Sequence, residues 1–171
     1  IFQIFCKDGD SHGRDWLSMA YVPPVAMTIA GSDSGGGAGI QADLRTFSFH
    51  AVHGTSALTC ITAQNTIGVS RVDALPPESV VAQIETVIGD IAIQALKTGM
   101  LLNQPIIEAV VACVGRLAGV GCVIDPVMVS RTGAQLIDDD AIASLKRLIP
   151  LATVLTPNRY EAEILSGQPI Q

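Results

Sequence analysis

Gly31-Ser32-Asp33-Ser34-Gly35-Gly36-Gly37-Ala38-Gly39-Ile40-Gln41-Ala42-Asp43 is a glycine cluster that ends in an acid. It follows the apolar run Val25-Ala26-Met27-Thr28-Ile29-Ala30 and opens a segment with Ile40, Leu44 and Phe47 at helical spacing. A strand, a side-chain-free turn and a helix N-terminus in that order bring backbone N–H groups close to a ligand. Neither common phosphate-loop template fits. Counted from Gly31, the P-loop spacing reaches Gly36 but then meets Gly37-Ala38 where Lys-Ser/Thr is required. Counted from Gly35, the third glycine of the dinucleotide pattern falls on Ile40. The loop is therefore expected to bind its ligand by another mode.

Outward from this cluster, strand and helix patterns alternate. A strand near 25–30 and a helix near 38–50 are followed by the β-branched run Ser56 to Thr62, a second strand. Ala63 to Val69 reads as a polar turn with a short return strand. Pro76-Pro77-Glu78 suits a helix start, and Val80, Val81, Ile84, Val87, Ile88 and Ile91 mark the buried face of that helix. Ile93 to Thr98 is a strand, and Asn103 caps the helix that carries Ile106, Ile107, Val110, Val111, Val114 and Leu117. Gly121 to Pro126 is a strand ending in Asp125, Asp138-Asp139-Asp140 opens a helix, Ala152 to Leu155 is a strand, and Asn158 begins a last helix. Strands alternating with helices imply parallel crossover units in an open α/β sheet covered on both faces. In such sheets ligands sit beyond the carboxyl ends of the strands, where Gly31, Gln64, Gly99, Asp125 and Thr156 are expected. Residues 1–18 mix aromatic, charged and glycine residues without a period and are expected to be non-native or disordered, leaving 19–171 as a domain expected to be incomplete.

Composition narrows the partners. The 171 residues are 49% hydrophobic and 15% charged, with a net charge of −6, which argues against nucleic acid and anionic membranes. Cys6, Cys60, Cys113 and Cys122 form no C-x-x-C pair and read as small thiols in a reducing compartment. His50 and His53 are spaced like half a metal site, but no third ligand lies nearby, and they read as structural. No apolar stretch reaches transmembrane length and no signal segment opens the chain, so the cytoplasm is the expected location.

Several polar residues could carry chemistry. Asp125 ends a strand before Pro126, where it could hold magnesium through water or simply turn the chain. Asn158 and Glu161 have the spacing of a capping box, a geometry that would also hold a carboxylate still beside a phosphate. Asp138-Asp139-Asp140 suits the first turn of a helix better than a metal, because its side chains would fan around the axis.

Taken in order, five stretches carry a resemblance: Thr28 to Asp43, Thr62-Ala63-Gln64-Asn65-Thr66, Lys97-Thr98-Gly99-Met100-Leu101, Asp125-Pro126-Val127-Met128 and Thr156-Pro157-Asn158. The chain resembles the hydroxymethylpyrimidine/phosphomethylpyrimidine kinases of thiamine biosynthesis, in the ribokinase-like superfamily, from about residue 25 to 168. The resemblance implies a ribokinase-like open, mostly parallel sheet with helices on both faces. It also implies transfer of the ATP γ-phosphoryl group to 4-amino-5-hydroxymethyl-2-methylpyrimidine and then to its monophosphate. In that family the glycine loop belongs to the pyrimidine site, in keeping with the failed nucleotide templates. Carried over, Ala38, Asp43, Gln64, Met100 and Val127 would line the pyrimidine pocket, Asp125 and Glu161 would serve Mg²⁺ and its waters, and Asn158 the nucleotide phosphates. A Gln amide can both donate to and accept from an aminopyrimidine edge.

The family pattern continues past Gln171 with a lysine-glycine-glycine segment and a Gly-Thr/Ser-Gly-Cys/Asp helix start. The resemblance therefore puts the base and the anion hole outside this chain, assigns it no catalytic residue, and implies weak or no phosphoryl transfer by these 171 residues alone. It further implies a homodimer for the full-length form. Three other readings compete: a pyridoxal or pyridoxine kinase, a non-catalytic pyrimidine-binding module, and a dinucleotide-dependent oxidoreductase, the last disfavoured by the glycine spacing.

Overall fold

The computed structural model describes residues 22–128 and 139–170. The expectations for residues 1–18, for Cys6 and for the Asp138 end of the acidic run lie outside the described residues. The elements alternate as β1 (Val25–Asp33), α1 (Gly39–Phe49), β2 (His53–Gln64), β3 (Val69–Ala74), α2 (Pro77–Ile88), β4 (Ala95–Thr98), α3 (Gln104–Val114), β5 (Gly121–Ile124), α4 (Asp139–Leu145), a 3-10 turn at Ile149–Leu151, β6 (Val154–Leu155) and α5 (Arg159–Ser166).

The strands form one sheet in the order β3-β2-β1-β4-β5-β6. All neighbours run parallel except β3, which returns antiparallel to β2. Register aligns the carboxyl ends: Ile29 pairs with Thr98, Thr98 with Ile124, and Ile124 with Leu155. The chain positions that follow these residues therefore emerge side by side along one edge of the sheet.

Period-two alternation along β1 sorts its side chains between two layers. Met27 and Ile29 are fully buried in a continuous apolar core with Ile84 of α2, Leu96 of β4, and Ile106 and Val110 of α3. Thr28 points the other way, and its hydroxyl donates to Asp43 of α1. Helix α1 thus covers one face of the sheet while α2 and α3 cover the other. Local signals start the helices as read: Pro77 occupies the first turn of α2 beside Glu78, and Asn103 Oδ1 accepts from the Ile106 N–H at 3.1 Å.

Several boundaries differ from the sequence reading: β2 is longer, at His53–Gln64, β4 starts at Ala95, and α2 ends at Ile88. β1 does not stop at Ala30 but runs to Asp33, after a register slip against β2 between Ala30 and Ser32. The return strand lies at 69–74 rather than within 63–69, and β6 has only two residues. Among the described residues no helix is long and apolar enough to cross a membrane.

Ile84 is fully buried and Phe49 is 85% exposed. Ile84→Ala is expected to cost about 2–5 kcal/mol in urea unfolding. Phe49→Ala is expected to stay within about 0.5 kcal/mol of the parent.

Candidate active site

A cavity of about 530 Å³ opens beyond the carboxyl ends of β1, β2, β4 and β5. That volume lies in the range of small-molecule sites. Ala38, Asp43, Gln64, Met100 and Val127 all line it, together with Asp125. They arrive from separate places: the N-cap and second turn of α1, the last residue of β2, and the loops that follow β4 and β5. Parallel strands ending in register bring them together.

The glycine loop is built differently from the reading that its N–H groups face a ligand. Asp33 Oδ1 accepts from the Gly35 N–H, and Oδ2 accepts from the N–H groups of Gly37 and Ala38, each at 2.8 Å. The Asp33 carbonyl takes the Gly36 N–H at 2.9 Å. Gly39 is required by close approach to the protein itself. Its φ is +56°, and an added Cβ would stand 2.3 Å from the Gly31 carbonyl oxygen. Ser34 ties the loop to the opposite wall, donating to the Gln64 carbonyl and accepting from the Gln64 N–H, both at 2.8 Å.

The cavity floor is charged. Lys97 Nζ stands 3.2 Å from both carboxylate oxygens of Asp43 and 3.4 Å from Asp125 Oδ2. Asp43 also accepts from the fully buried Thr28 hydroxyl at 2.6 Å. One ammonium therefore holds two carboxylates, from α1 and from the end of β5, in a fixed relation. The apolar side is set by Met100, whose carbonyl accepts from Thr59 Oγ1 at 2.7 Å. Behind Gly31 lies Cys60, whose thiol is pushed above its ordinary range by burial, as is that of Cys122. Both are protonated at neutral pH and unsuited to nucleophilic work.

Asn158 and Glu161 do not line this cavity. They form the capping box of α5: Asn158 Oδ1 accepts from the Glu161 N–H, and Glu161 Oε2 accepts from the Asn158 N–H, both at 2.9 Å. Glu161 is only 3% exposed, and its Oε1 also accepts from the Met128 N–H at 3.4 Å. Its carboxylate fastens α5 to the loop after β5. Asp125, with a third of its side chain exposed, is the more accessible carboxylate for a cation. Among the described residues no group of three or more His, Cys, Asp or Glu side chains is arranged to hold a metal by itself. Magnesium commonly takes one or two carboxylates and completes its shell with water and phosphate oxygens, a demand Asp125 fits.

Two residues escaped the sequence reading, Asp33 and Lys97. An acid followed by glycines is a local Asx-type signal that was available. A lysine within a short buried strand is itself unusual, though its partners lie 54 and 28 positions away. Thr28→Val, which keeps the shape of the side chain and deletes its donor, is expected to cost about 1–3 kcal/mol in urea unfolding. Thr28→Ser is expected to recover most of that loss.

Over residues 33–171 the chain matches the family described as phosphomethylpyrimidine kinase. The hydroxymethylpyrimidine/phosphomethylpyrimidine kinase of Synechococcus elongatus is 66% identical over 149 residues, which are 86% of this chain and 56% of that relative. The chain thus spans little more than half of that relative's length. The crystal structure of phosphomethylpyrimidine kinase from Clostridium difficile 630 is similar with a TM-score of 0.82 at 46% identity, covering 86% of this chain and 64% of that one. The pyridoxal kinase of Staphylococcus aureus, solved in complex with pyridoxal, follows with 0.78 at 36% identity, covering 88% and 56%. The sheet is thus the ribokinase-like fold, and the chain belongs to the phosphomethylpyrimidine kinase family.

Proposed function

We propose that the protein transfers the γ-phosphoryl group of ATP to 4-amino-5-hydroxymethyl-2-methylpyrimidine and then to the resulting monophosphate, in the cytoplasm, as a step of thiamine biosynthesis. The observation that carries the reading is the convergence of Ala38, Asp43, Gln64, Met100 and Val127 on one cavity in a chain of this family. Met100 and Val127 pack against the ring, the Gln64 amide pairs with its aminopyrimidine edge, and Asp43 orients its polar substituents. Asp43 suits an acceptor role because Thr28 and Lys97 hold it in place.

Asp125 serves magnesium through water, on the side of the cavity where phosphates would enter. Asn158 serves the nucleotide phosphates from the start of α5. Glu161 acts on the same side through the backbone it holds, since both its oxygens accept N–H groups. Bound Mg²⁺–ATP supplies the phosphoryl group and neutralises its charge; this chain's residues supply position. We assign the proton-accepting base to none of them. The exposed Ile61 and Ile67 near the β2–β3 turn support a contact with a second copy in a homodimer.

Pyridoxal phosphorylation is the second reading, favoured by the similarity to the S. aureus pyridoxal kinase. The test is a transfer assay on the full-length gene product with the pyrimidine and pyridoxal in competition. The pyrimidine is expected to win, chelation of Mg²⁺ to abolish turnover, and Gln64→Ala to raise KM about 10-fold, the worth of one polar contact. Preference for pyridoxal, or no transfer to either alcohol, would overturn the assignment.

A further inference from the structure

We infer that Asp33 is the positioning residue of the cavity: its carboxylate is the built-in anion of the glycine loop, making the loop a fixed wall for a ring and closing it to free phosphate. The consequence for ring binding rests on the pyrimidine reading above; the lock itself does not.

Four consecutive backbone N–H groups, from Gly35 to Ala38, end on this one residue, three on its carboxylate and one on its carbonyl. Asp33 is 5% exposed, so these are charge-assisted bonds shielded from water. A strand–glycine–helix junction of this kind attracts anions because its N–H groups converge and the helix dipole adds to them. Here both oxygens of an internal carboxylate occupy that position, leaving those N–H groups no capacity for a phosphate. The backbone of Asp33 is itself held from behind. The Asp33 N–H donates to Gln41 Oε1 at 2.9 Å, and Gln41 Nε2 donates to Ser32 Oγ at 2.7 Å.

The lock reaches the cavity by two routes. Ala38, whose N–H it holds, is a lining residue and the N-cap of α1, so the bond sets both the wall and the start of the helix that carries Asp43. Ser34, inside the locked turn, bonds the backbone of Gln64 in both directions. Releasing the carboxylate therefore frees the walls on both sides of the ring position while leaving the apolar core untouched.

The experiment uses the ¹⁵N-labelled 171-residue chain and has a ligand-free arm. Amide exchange at Gly35, Gly37 and Ala38 is expected to be slow in the parent and about 10- to 100-fold faster in Asp33→Asn, the loss of charge-assisted bonds. Titration of the parent with inorganic phosphate is expected to leave those three amide signals in place. In the binding arm, Asp33→Asn is expected to raise the Kd for 4-amino-5-hydroxymethyl-2-methylpyrimidine at least about 10-fold. Asp33→Gly is expected to recover affinity with added formate, but not with chloride at equal ionic strength. Ser34→Ala is expected to weaken the pyrimidine while leaving exchange at the three amides slow. Unchanged exchange in Asp33→Asn, phosphate shifting the loop amides of the parent, or parental affinity in an unlocked loop would each overturn the inference. Should the Asp33 variants fail to fold, the parent's exchange rates, its phosphate titration and Ser34→Ala decide it. A parent that does not bind the pyrimidine at all overturns the functional reading, and the exchange arm then judges the lock alone.

Discussion

The carboxylate of Asp33, closed upon by the N–H groups of its own loop, is the interaction on which the rest of the cavity depends. It fixes the point and direction at which α1 leaves the sheet. One turn into that helix, Asp43 then meets Thr28 on β1 and Lys97 on β4. Lys97 in turn reaches Asp125 beyond β5. A local knot on one strand is thus carried across three neighbouring strand ends by side chains at hydrogen-bond distance. The glycines serve this knot: Gly39 permits α1 to start against the Gly31 carbonyl, where any side chain would collide.

Much of the fold was legible because its signals are local. Parallel strands buried on both faces read as continuous apolar runs, and helices announce themselves by caps and by spacing. The α5 capping box is local and was readable from Asn158 and Glu161 alone. β3 was misplaced because every one of its residues is exposed, so no alternation marks it. β1 was cut short because Gly31 and Ser32 look like loop residues, and only pairing with β2 across a register slip keeps them in the strand. The same distinction holds at the site. Lining residues could be named through motifs, whereas the Lys97 bridge joins residues from three distant segments and is set by the register of the sheet. A glycine loop before a helix reads as a cradle for a ligand, whereas here the Asp33 carboxylate takes the N–H groups of Gly35, Gly37 and Ala38.

The described polar residues fall into two groups with different work. The cavity-lining group, from Ala38 to Val127, is concave, partly apolar and pinned by Thr28, Thr59 and Ser34. The α5 group is a cap whose carboxylate accepts one backbone N–H on each oxygen. Asp125 and Lys97 belong to the cavity itself, where with Asp43 they form its charged floor.

The central claim is that the cavity beyond β1, β2, β4 and β5 is a pyrimidine site. The most direct measurement follows backbone amide shifts of the ¹⁵N-labelled chain as 4-amino-5-hydroxymethyl-2-methylpyrimidine is added. Saturable shifts centred on Ala38, Gln64, Met100 and Val127, with α5 unaffected, are the result this account requires. Shifts centred on α5 with the cavity residues still, or no saturable shift anywhere, would contradict it.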